Sequence, residues 1–356
     1  MKNLTSIFVL GIMIFIVSGF SVNEPAVDSN TDAPATGRFF GFGQITTGSN
    51  SQYHIQNDVP RQDLSGAATD GEHIIFVDDG GKPSDFNFVR VMEELPDTAG
   101  VDLPLTLNHE DMEGATFYRD YFVATTSLGK SSDADYRRLT RFKIDDNGTL
   151  AQEQSVDLRD ELMAALQANF GDDWYNRIKD EPAKSGGLNI EGISQVGTGQ
   201  DVLAWGLRSP LAGDNFGNPA TNPALSLSDG SAIIAFVSNP FDSNPSFSFE
   251  TVDLGGHGVR GMEWIPAMGG YVIIGGPTIK ANGYSLWLWS HPHGLEQLDL
   301  SGFDHLCRPE SVIQVTEDNK PYLVVLSEES GAACDNVDYT YIQAEILNGH
   351  RGNGHK

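Results

Sequence analysis

Basic residues are scarce in this chain: Lys and Arg number 22 against 49 Asp and Glu, a formal charge of -27 over 356 residues. Spread along the whole length, that charge repels phosphate backbones and anionic lipid, so nucleic acid and membrane surfaces are excluded as partners while cations are favoured. Its plainest role is a solvating surface that keeps an exported protein dispersed. Cysteine is almost missing, with only Cys307 and Cys334, and no zinc-type pair spacing is present. Neither a G-x-S-x-G elbow nor a phosphate-binding Gly loop occurs, which removes the commonest signatures of serine hydrolases and nucleotide-binding enzymes. Long apolar runs are also lacking. The one candidate, Ile7 to Phe20, is roughly 14 residues where a bilayer span needs about 20.

That run follows Lys2 and precedes small residues, with Val17-Ser18-Gly19 or Gly19-Phe20-Ser21 as cleavage sites, so residues 1–21 read as a signal peptide. The alternative is an uncleaved anchor. No Cys follows the run, which argues against a bacterial lipoprotein. Export to the periplasm or the extracellular space is expected, with no membrane contact after cleavage. Residues 22–37, rich in Asp, Asn, Pro and Ala, read as a disordered lead-in, and residues 348–356 as a flexible tail.

Gly 39 and Pro 17 beside a modest helix signal suit an all-β chain full of turns, and 39% hydrophobic content suffices for a large core. One short phrase returns five times: Leu64-Ser65-Gly66-Ala67, Met112-Glu113-Gly114-Ala115, Ile190-Glu191-Gly192-Ile193, Val259-Arg260-Gly261-Met262 and Pro309-Glu310-Ser311-Val312. Each copy opens a strand that ends at a turn, and a nearly continuous apolar strand follows: His73 to Val77, Tyr121 to Thr125, Val202 to Gly206, Tyr271 to Ile274 and Tyr322 to Leu326. Such runs suit strands packed on both faces. Third strands are expected at Phe86 to Val91, Leu139 to Ile144, Ala232 to Val237, Ser285 to Trp289 and Thr340 to Ile346. A second phrase marks the fourth strands: Val101-Asp102-Leu103, Val156-Asp157-Leu158, Val252-Asp253-Leu254 and Leu298-Asp299-Leu300.

Four-stranded units of about fifty residues predict an all-β fold, a β-propeller of five four-stranded blades over residues 38–347. A sixth blade requires Arg38 to Thr47 to form more than a stray strand. The last unit lacks a fourth strand, which Gln52 to Gln56 is placed to supply. One inserted helix is expected at 158–170, where Leu158, Leu162, Ala165, Leu166 and Phe170 recur at helical spacing before Gly171. The chain is read as a monomer.

Ring closure would bring the strand openings to one channel mouth: Ser65, Glu113, Glu191, Arg260 and Glu310. The connections before them carry His109, His257 and His305. Loops between second and third strands add Asp78, Asp79, Lys130, Arg208, Lys280, Glu328 and Glu329. Three converging carboxylates persist by binding a cation, by pairing with arginine or by keeping a proton. Oxygen ligands suit Ca²⁺ or Mg²⁺, with Glu113, Glu191 and Glu310 as the metal set. The competing reading is that each Glu satisfies backbone N–H groups or pairs with Arg260 or Arg208.

Other acidic and histidine groups are less apt. Asp145-Asp146-Asn147-Gly148 fits a hairpin turn better than a calcium loop. His291-Pro292-His293 falls at the opposite face, and His350 and His355 lie in the Gly-rich tail. Cys307 precedes the innermost strand of the last unit and Cys334 follows its neighbour, so both reach the mouth face. A disulfide there is geometrically reasonable, and two free thiols are the alternative.

The run Gly186-Gly187-Leu188-Asn189-Ile190-Glu191-Gly192, followed by Gly206-Leu207-Arg208-Ser209-Pro210-Leu211, resembles a bacterial propeller family known only as a domain of unknown function. Asp111-Met112-Glu113-Gly114 and Leu254-Gly255-Gly256-His257-Gly258-Val259-Arg260 match it as well, over roughly Leu64 to Leu300. The resemblance implies the fold and assigns no activity. The D-x-E-G openings are also similar to those of esterase-like phytase propellers, which implies calcium-dependent phosphoester hydrolysis. This chain departs from a simple acidic ring by placing Ser65 and Arg260 at equivalent openings.

Two functions are therefore expected in competition. In the first, an exported hydrolase acts on a small anionic ester: Glu113 and Glu191 supply acid–base chemistry or hold the cation, Arg208 and Arg260 receive the anionic group, and His257 moves protons. In the second, the mouth captures a small molecule or a protein partner without turnover, using the loops Leu128 to Asp135 and Leu211 to Pro223.

Overall fold

Apolar character on both faces of a strand has one economical solution, packing between two neighbouring sheets, and the second strands of this chain take it. The computed structural model describes residues 44–45, 52–56, 64–79, 88–93, 95, 100–197, 201–279, 283–290, 294–328, 334 and 339–347. The expected signal peptide, lead-in and tail lie outside these residues, as do Lys280, Glu329, His291-Pro292-His293, His350 and His355. Two short strands come first, β1 (Gln44–Ile45) and β2 (Gln52–Gln56). Blade I then comprises β3 (Leu64–Thr69), β4 (Ile74–Asp78), β5 (Phe88–Met92) and β6 (Val101–Pro104). Blade II comprises β7 (Met112–Tyr118), β8 (Tyr121–Thr126), β9 (Leu139–Ile144) and β10 (Leu150–Val156). Blade III is β11 (Asn189–Gln195), β12 (Val202–Ser209), β13 (Ala232–Ser238) and β14 (Ser246–Val252). Blade IV is β15 (Gly258–Ile265), β16 (Gly270–Gly276), β17 (Ser285–Ser290) and β18 (Gly294–Leu298). Blade V holds β19 (Arg308–Glu317), β20 (Lys320–Glu328) and β21 (Tyr339–Leu347).

All neighbours within a blade are antiparallel. The innermost strands touch in sequence, β3 to β7, β7 to β11, β11 to β15 and β15 to β19, and β19 returns to β3, which closes a five-bladed propeller. Closure leaves no broad exposed sheet edge. The missing outer strand of blade V comes from the other end of the chain: β2 pairs antiparallel with β21, Gln52 opposite Gln343 and Gln56 opposite Tyr339. The two-residue β1 joins the same strand, Ile45 opposite Ile346. It completes blade V and makes no sixth blade.

In β4 the alternation is explicit. Ile74 and Phe76 pack with Val324, Leu326 and Tyr341 of blade V, whereas Ile75 and Val77 pack with Phe122 and Ala124 of blade II. Fourth strands face solvent; β14 alternates exposed and partly buried residues until Val252. The V-D-L phrase spans β6 itself in blade I but marks strand exits elsewhere, since Val156, Val252 and Leu298 are last residues of their strands.

The expected helix is α1 (Arg159–Phe170), with Leu158 at its N-terminal boundary. A second helix, α2 (Asp172–Ile178), follows after Gly171 at φ +87. The expectation of one helix missed it because seven residues carry too few turns for a periodic pattern. Phe170 packs at a tilt against Trp174 and meets Phe249 of blade III, so the helix pair is anchored by aromatic contacts. Among the described residues no helix is long and apolar enough to cross a membrane.

Candidate functional site

The opening phrase of each blade encodes a β-bulge. In blade I, Leu64 pairs with Asp78 and Gly66 with Val77, so Ser65 is left out of the ladder. Glu113, Arg260 and Glu310 are skipped in the same way in blades II, IV and V. Blade III skips two residues: Ile190 pairs with Leu207 and Gly192 with Gly206, which frees Glu191 on one strand and the register then omits Arg208 on the other. A bulge turns an unpaired residue away from the regular pleat and re-aims its side chain. Five bulges at one level of five neighbouring strands therefore collect Ser65, Glu113, Glu191, Arg260 and Glu310 at one end of the channel, and all five are buried.

Glycine follows the bulge for a spatial reason. A Cβ on Gly66 would lie 2.7 Å from the Gly114 Cα, and one on Gly261 would lie 2.1 Å from the Glu310 carbonyl oxygen. Strands this close to the axis leave no room for a side chain. The last blade places Ser311 there instead. Its hydroxyl donates to the Ser65 carbonyl at 2.7 Å, and the Ser65 hydroxyl donates to the Met112 carbonyl, stitching blades V, I and II together.

The expectation that charged groups from distant segments meet at this level holds for four of them. Glu191 accepts from Arg208 Nη1 at 2.6 Å and from Asn189 Nδ2 at 3.0 Å, and lies 2.9 Å from Arg260 Nη1. The other terminal nitrogen of Arg260 reaches Glu310. Arg260 is thus a buried bridge between two glutamates, and Arg208 a second cation on one of them. Glu191 carries only 1% side-chain exposure, so this compensation is what permits its burial. Four buried atoms of the cluster keep no hydrogen-bond partner: Glu310 Oε2, Arg260 Nε, Asn189 Oδ1 and Glu191 Oε2, the last in ion-pair contact with Arg260.

Glu113 differs from its counterparts. Among the described residues no Lys or Arg stands within ion-pair distance of it. Burial pushes its carboxyl well above the usual carboxylate range, and Glu191, Asp111 and Asp79 add to the rise. Asp111, two residues earlier at φ +64, is also raised, by burial first, against a hydrogen bond from Ser127. Asp111 and Asn189 hold the same place, two before the bulged Glu. Sequence reasoning quoted both phrases without giving these residues a role; extending the repeat by two positions, to [DN]-x-E-G, is the signal that finds them.

The remaining expected residues divide. Arg208 also donates through Nε to the Pro277 carbonyl at 3.2 Å. His257 is half-buried at the blade IV opening, with Nδ1 3.4 Å from Ser285 Oγ, and burial lowers its pKa. His109 does not belong to the mouth cluster. It is buried in blade II between the Leu107 carbonyl at 2.8 Å and Thr140 Oγ1 at 2.6 Å, and desolvation pushes it down to about 4, so it is a neutral structural imidazole. His305 is exposed beside Asp304. Lys130 covers the ring of Tyr136 at 3.4 Å. Asp145 accepts from the Asn147 and Thr149 amides, the hairpin turn expected of that segment.

Around the cluster the rim is built up unevenly. The segment 211–223, expected as a long capture loop, is held by α2: Trp174 Nε1 donates to the Leu211 carbonyl and Arg177 to the Gly213 and Asp214 carbonyls, with Phe216 fully buried. Cys307 and Cys334 form a disulfide, Cα atoms 5.8 Å apart, tying the approach to β19 to the loop after β20. Among the described residues no three His, Cys, Asp or Glu side chains are placed to hold a metal ion. Arg208 and Arg260 bring to the glutamates the positive charge for which Ca²⁺ or Mg²⁺ was expected, and the donor set does not fit such a cation.

No protein-family model and no curated protein matches the chain. Solved structures similar to it include the major allergen Mala s 1 of Malassezia sympodialis, at 10% identity and TM-score 0.49, with 86% of this chain and 99% of that one covered. A family 32 β-fructofuranosidase from Bombyx mori in complex with sucrose is similar at 13% identity and TM-score 0.42 over 85% of this chain; the chain spans 65% of that enzyme's length. A family 43 protein from a Bacteroides ovatus xyloglucan locus is similar at 12% identity and TM-score 0.43, covering 77% of this chain and 50% of that one.

Proposed function

We propose that the protein is an exported β-propeller whose bulge-lined channel mouth binds a small anionic ester and hydrolyses it with Glu113 as proton donor. The observation that carries this reading is the contrast between two glutamates at equivalent bulges. Glu113 is buried among carboxylates that together raise its pKa, whereas Glu191 is met by two guanidinium groups and an amide. Environments that set like groups apart are what acid–base catalysis requires.

In this scheme water attacks the ester centre and gives its proton to Glu310, whose Oε2 is free of hydrogen bonds while Oε1 is engaged by Arg260. Glu113 passes its proton to the departing oxygen. Between these two positions on the ring stands only Ser65, the smallest of the five bulged side chains. Arg208 is 16% exposed and uses Nη1 and Nε in its bonds, so Nη2 serves the anionic substituent. Glu191 and Arg260 position these groups. The scheme routes no step through a metal. The disulfide supports an oxidising compartment and hence export.

Capture of a ligand or protein without turnover is the second reading. It is favoured by the rim over blade III, where α2 holds segment 211–223 in place as a wall. A panel of p-nitrophenyl acetate, p-nitrophenyl phosphate and a lactone, assayed with and without chelator, separates the two. Hydrolysis that persists in chelator and falls about a hundredfold in kcat in Glu113→Gln supports the proposal. Thermal stabilisation by these compounds without turnover supports capture, and chelator-sensitive turnover returns the cation to the site.

A further inference from the structure

The channel has a second end. There, between the exits of the innermost strands of blades I, IV and V, lies a cavity of about 310 Å³, within the lower range of small-molecule sites. We propose that this cavity binds a small organic cation with an apolar body. It is independent of the mouth site, since none of its lining residues belongs to the bulge ring.

Three features of the wall specify that chemistry. First, carboxylates supply all its formal charge: Asp70, Glu72, Glu93 and Glu317 stand at the exposed rim and Glu263 lies deeper, and no Lys, Arg or His is among the lining residues. Second, Glu263 projects from β15 into the channel and accepts from Thr116 Oγ1 of blade II at 3.0 Å, yet no basic side chain pairs with it among the described residues. Burial accordingly raises its pKa well above the usual range. Glu191 and Glu310 of the bulge cluster have guanidinium partners, whereas among the described residues Glu263 has none. Third, Trp264 and Ile313 line the same space. The indole is fixed edge-on by Tyr271, ring centroids 5.2 Å apart, and the Tyr271 hydroxyl is itself buried without a partner. An aromatic residue beside a carboxyl that has hydrogen-bond donors but no basic partner among the described residues is a site for an ammonium group, by ion pairing and by attraction to the ring face. The strongly negative protein adds a long-range pull on cations.

Titration calorimetry of the intact mature chain with benzylamine, and with benzyl alcohol as its neutral analogue, tests the proposal. Benzylamine is expected to bind and to quench tryptophan fluorescence, benzyl alcohol to bind at least about tenfold more weakly. Glu263→Gln should weaken benzylamine about tenfold, the loss expected for one charged hydrogen bond. Trp264→Phe, which keeps an aromatic wall, should bind yet lose the quench, and covers the case in which the Glu263 variant misfolds. Equal affinity for amine and alcohol, binding that Glu263→Gln leaves unchanged and 0.5 M salt abolishes, or an equal loss in Glu113→Gln at the far end of the channel would each overturn it.

Discussion

Replacing Arg260 by Met removes the bridge of the bulge cluster while keeping the length of the side chain. In the native protein its two terminal nitrogens reach Glu191 and Glu310, and all three groups are buried. The variant leaves Glu191 with Arg208 at 2.6 Å and strands Glu310. Removing one partner of a buried ion pair typically costs about 3–5 kcal/mol, mostly the desolvation of the charge left behind. That range is expected at pH 8 from urea unfolding followed by tryptophan fluorescence. The sign of the pH effect is fixed. A stranded carboxylate binds its proton more tightly in the folded state than in the unfolded chain, so the variant regains stability as pH falls and its deficit shrinks toward pH 5. Adding Glu310→Gln to Arg260→Met should recover about 2 kcal/mol, because it removes the unpaired charge. A loss below about 1 kcal/mol at pH 8, or one that does not change with pH, would show that these pairs behave like solvent-exposed bridges, and the argument from burial would fail.

Three further outcomes follow from the same geometry. Glu113→Gln is expected to flatten the alkaline loss of stability: with a raised folded pKa, the native state holds a proton that the unfolded chain releases above its own pKa, so wild-type stability falls as pH rises, by up to about 1.4 kcal/mol per unit, until the folded group ionises; unfolding curves from pH 5 to 8 read this, and parallel profiles for both proteins would refute it. Gly261→Ala should destabilise by about 3 kcal/mol, the upper end for overpacking, because its Cβ would sit 2.1 Å from a carbonyl oxygen of the next blade; thermal unfolding checks it. Reducing the disulfide, or replacing Cys307 by Ser, should cost about 3.5 kcal/mol in the chain-entropy picture for a sequence separation of 27, measured by denaturant midpoint with and without reductant.

The blades were legible because their physics is local. Val, Ile, Phe and Tyr runs such as Ile74 to Val77 must be strands packed on both faces, and their spacing recurs with the opening phrase. The helix over Arg159–Phe170 was legible for the same reason, whereas α2, with two buried residues in seven, carried no readable period. The convergence of Glu113, Glu191, Arg260 and Glu310 followed from ring closure. Their different surroundings did not: the sequence offers three similar E-G or E-S phrases, and only the neighbours across the channel separate a compensated Glu191 from a Glu113 whose pKa is raised by burial and nearby carboxylates. His109 shows the converse, since its offset from the strand start suited the mouth while its ring turned to Thr140 and the blade interior.

Glu263 was passed over entirely because it sits mid-strand, outside any repeated phrase. Side-chain alternation was enough to set it on the channel wall, but nothing local says that no cation stands opposite. The order of apolar and turn residues along this chain thus determined five blades, the closing strand and which residues open each sheet. Which carboxyls are paired with guanidinium groups and which are buried without them was decided only by the closed ring, because charge compensation and desolvation depend on groups brought within a few ångströms from blades far apart in sequence.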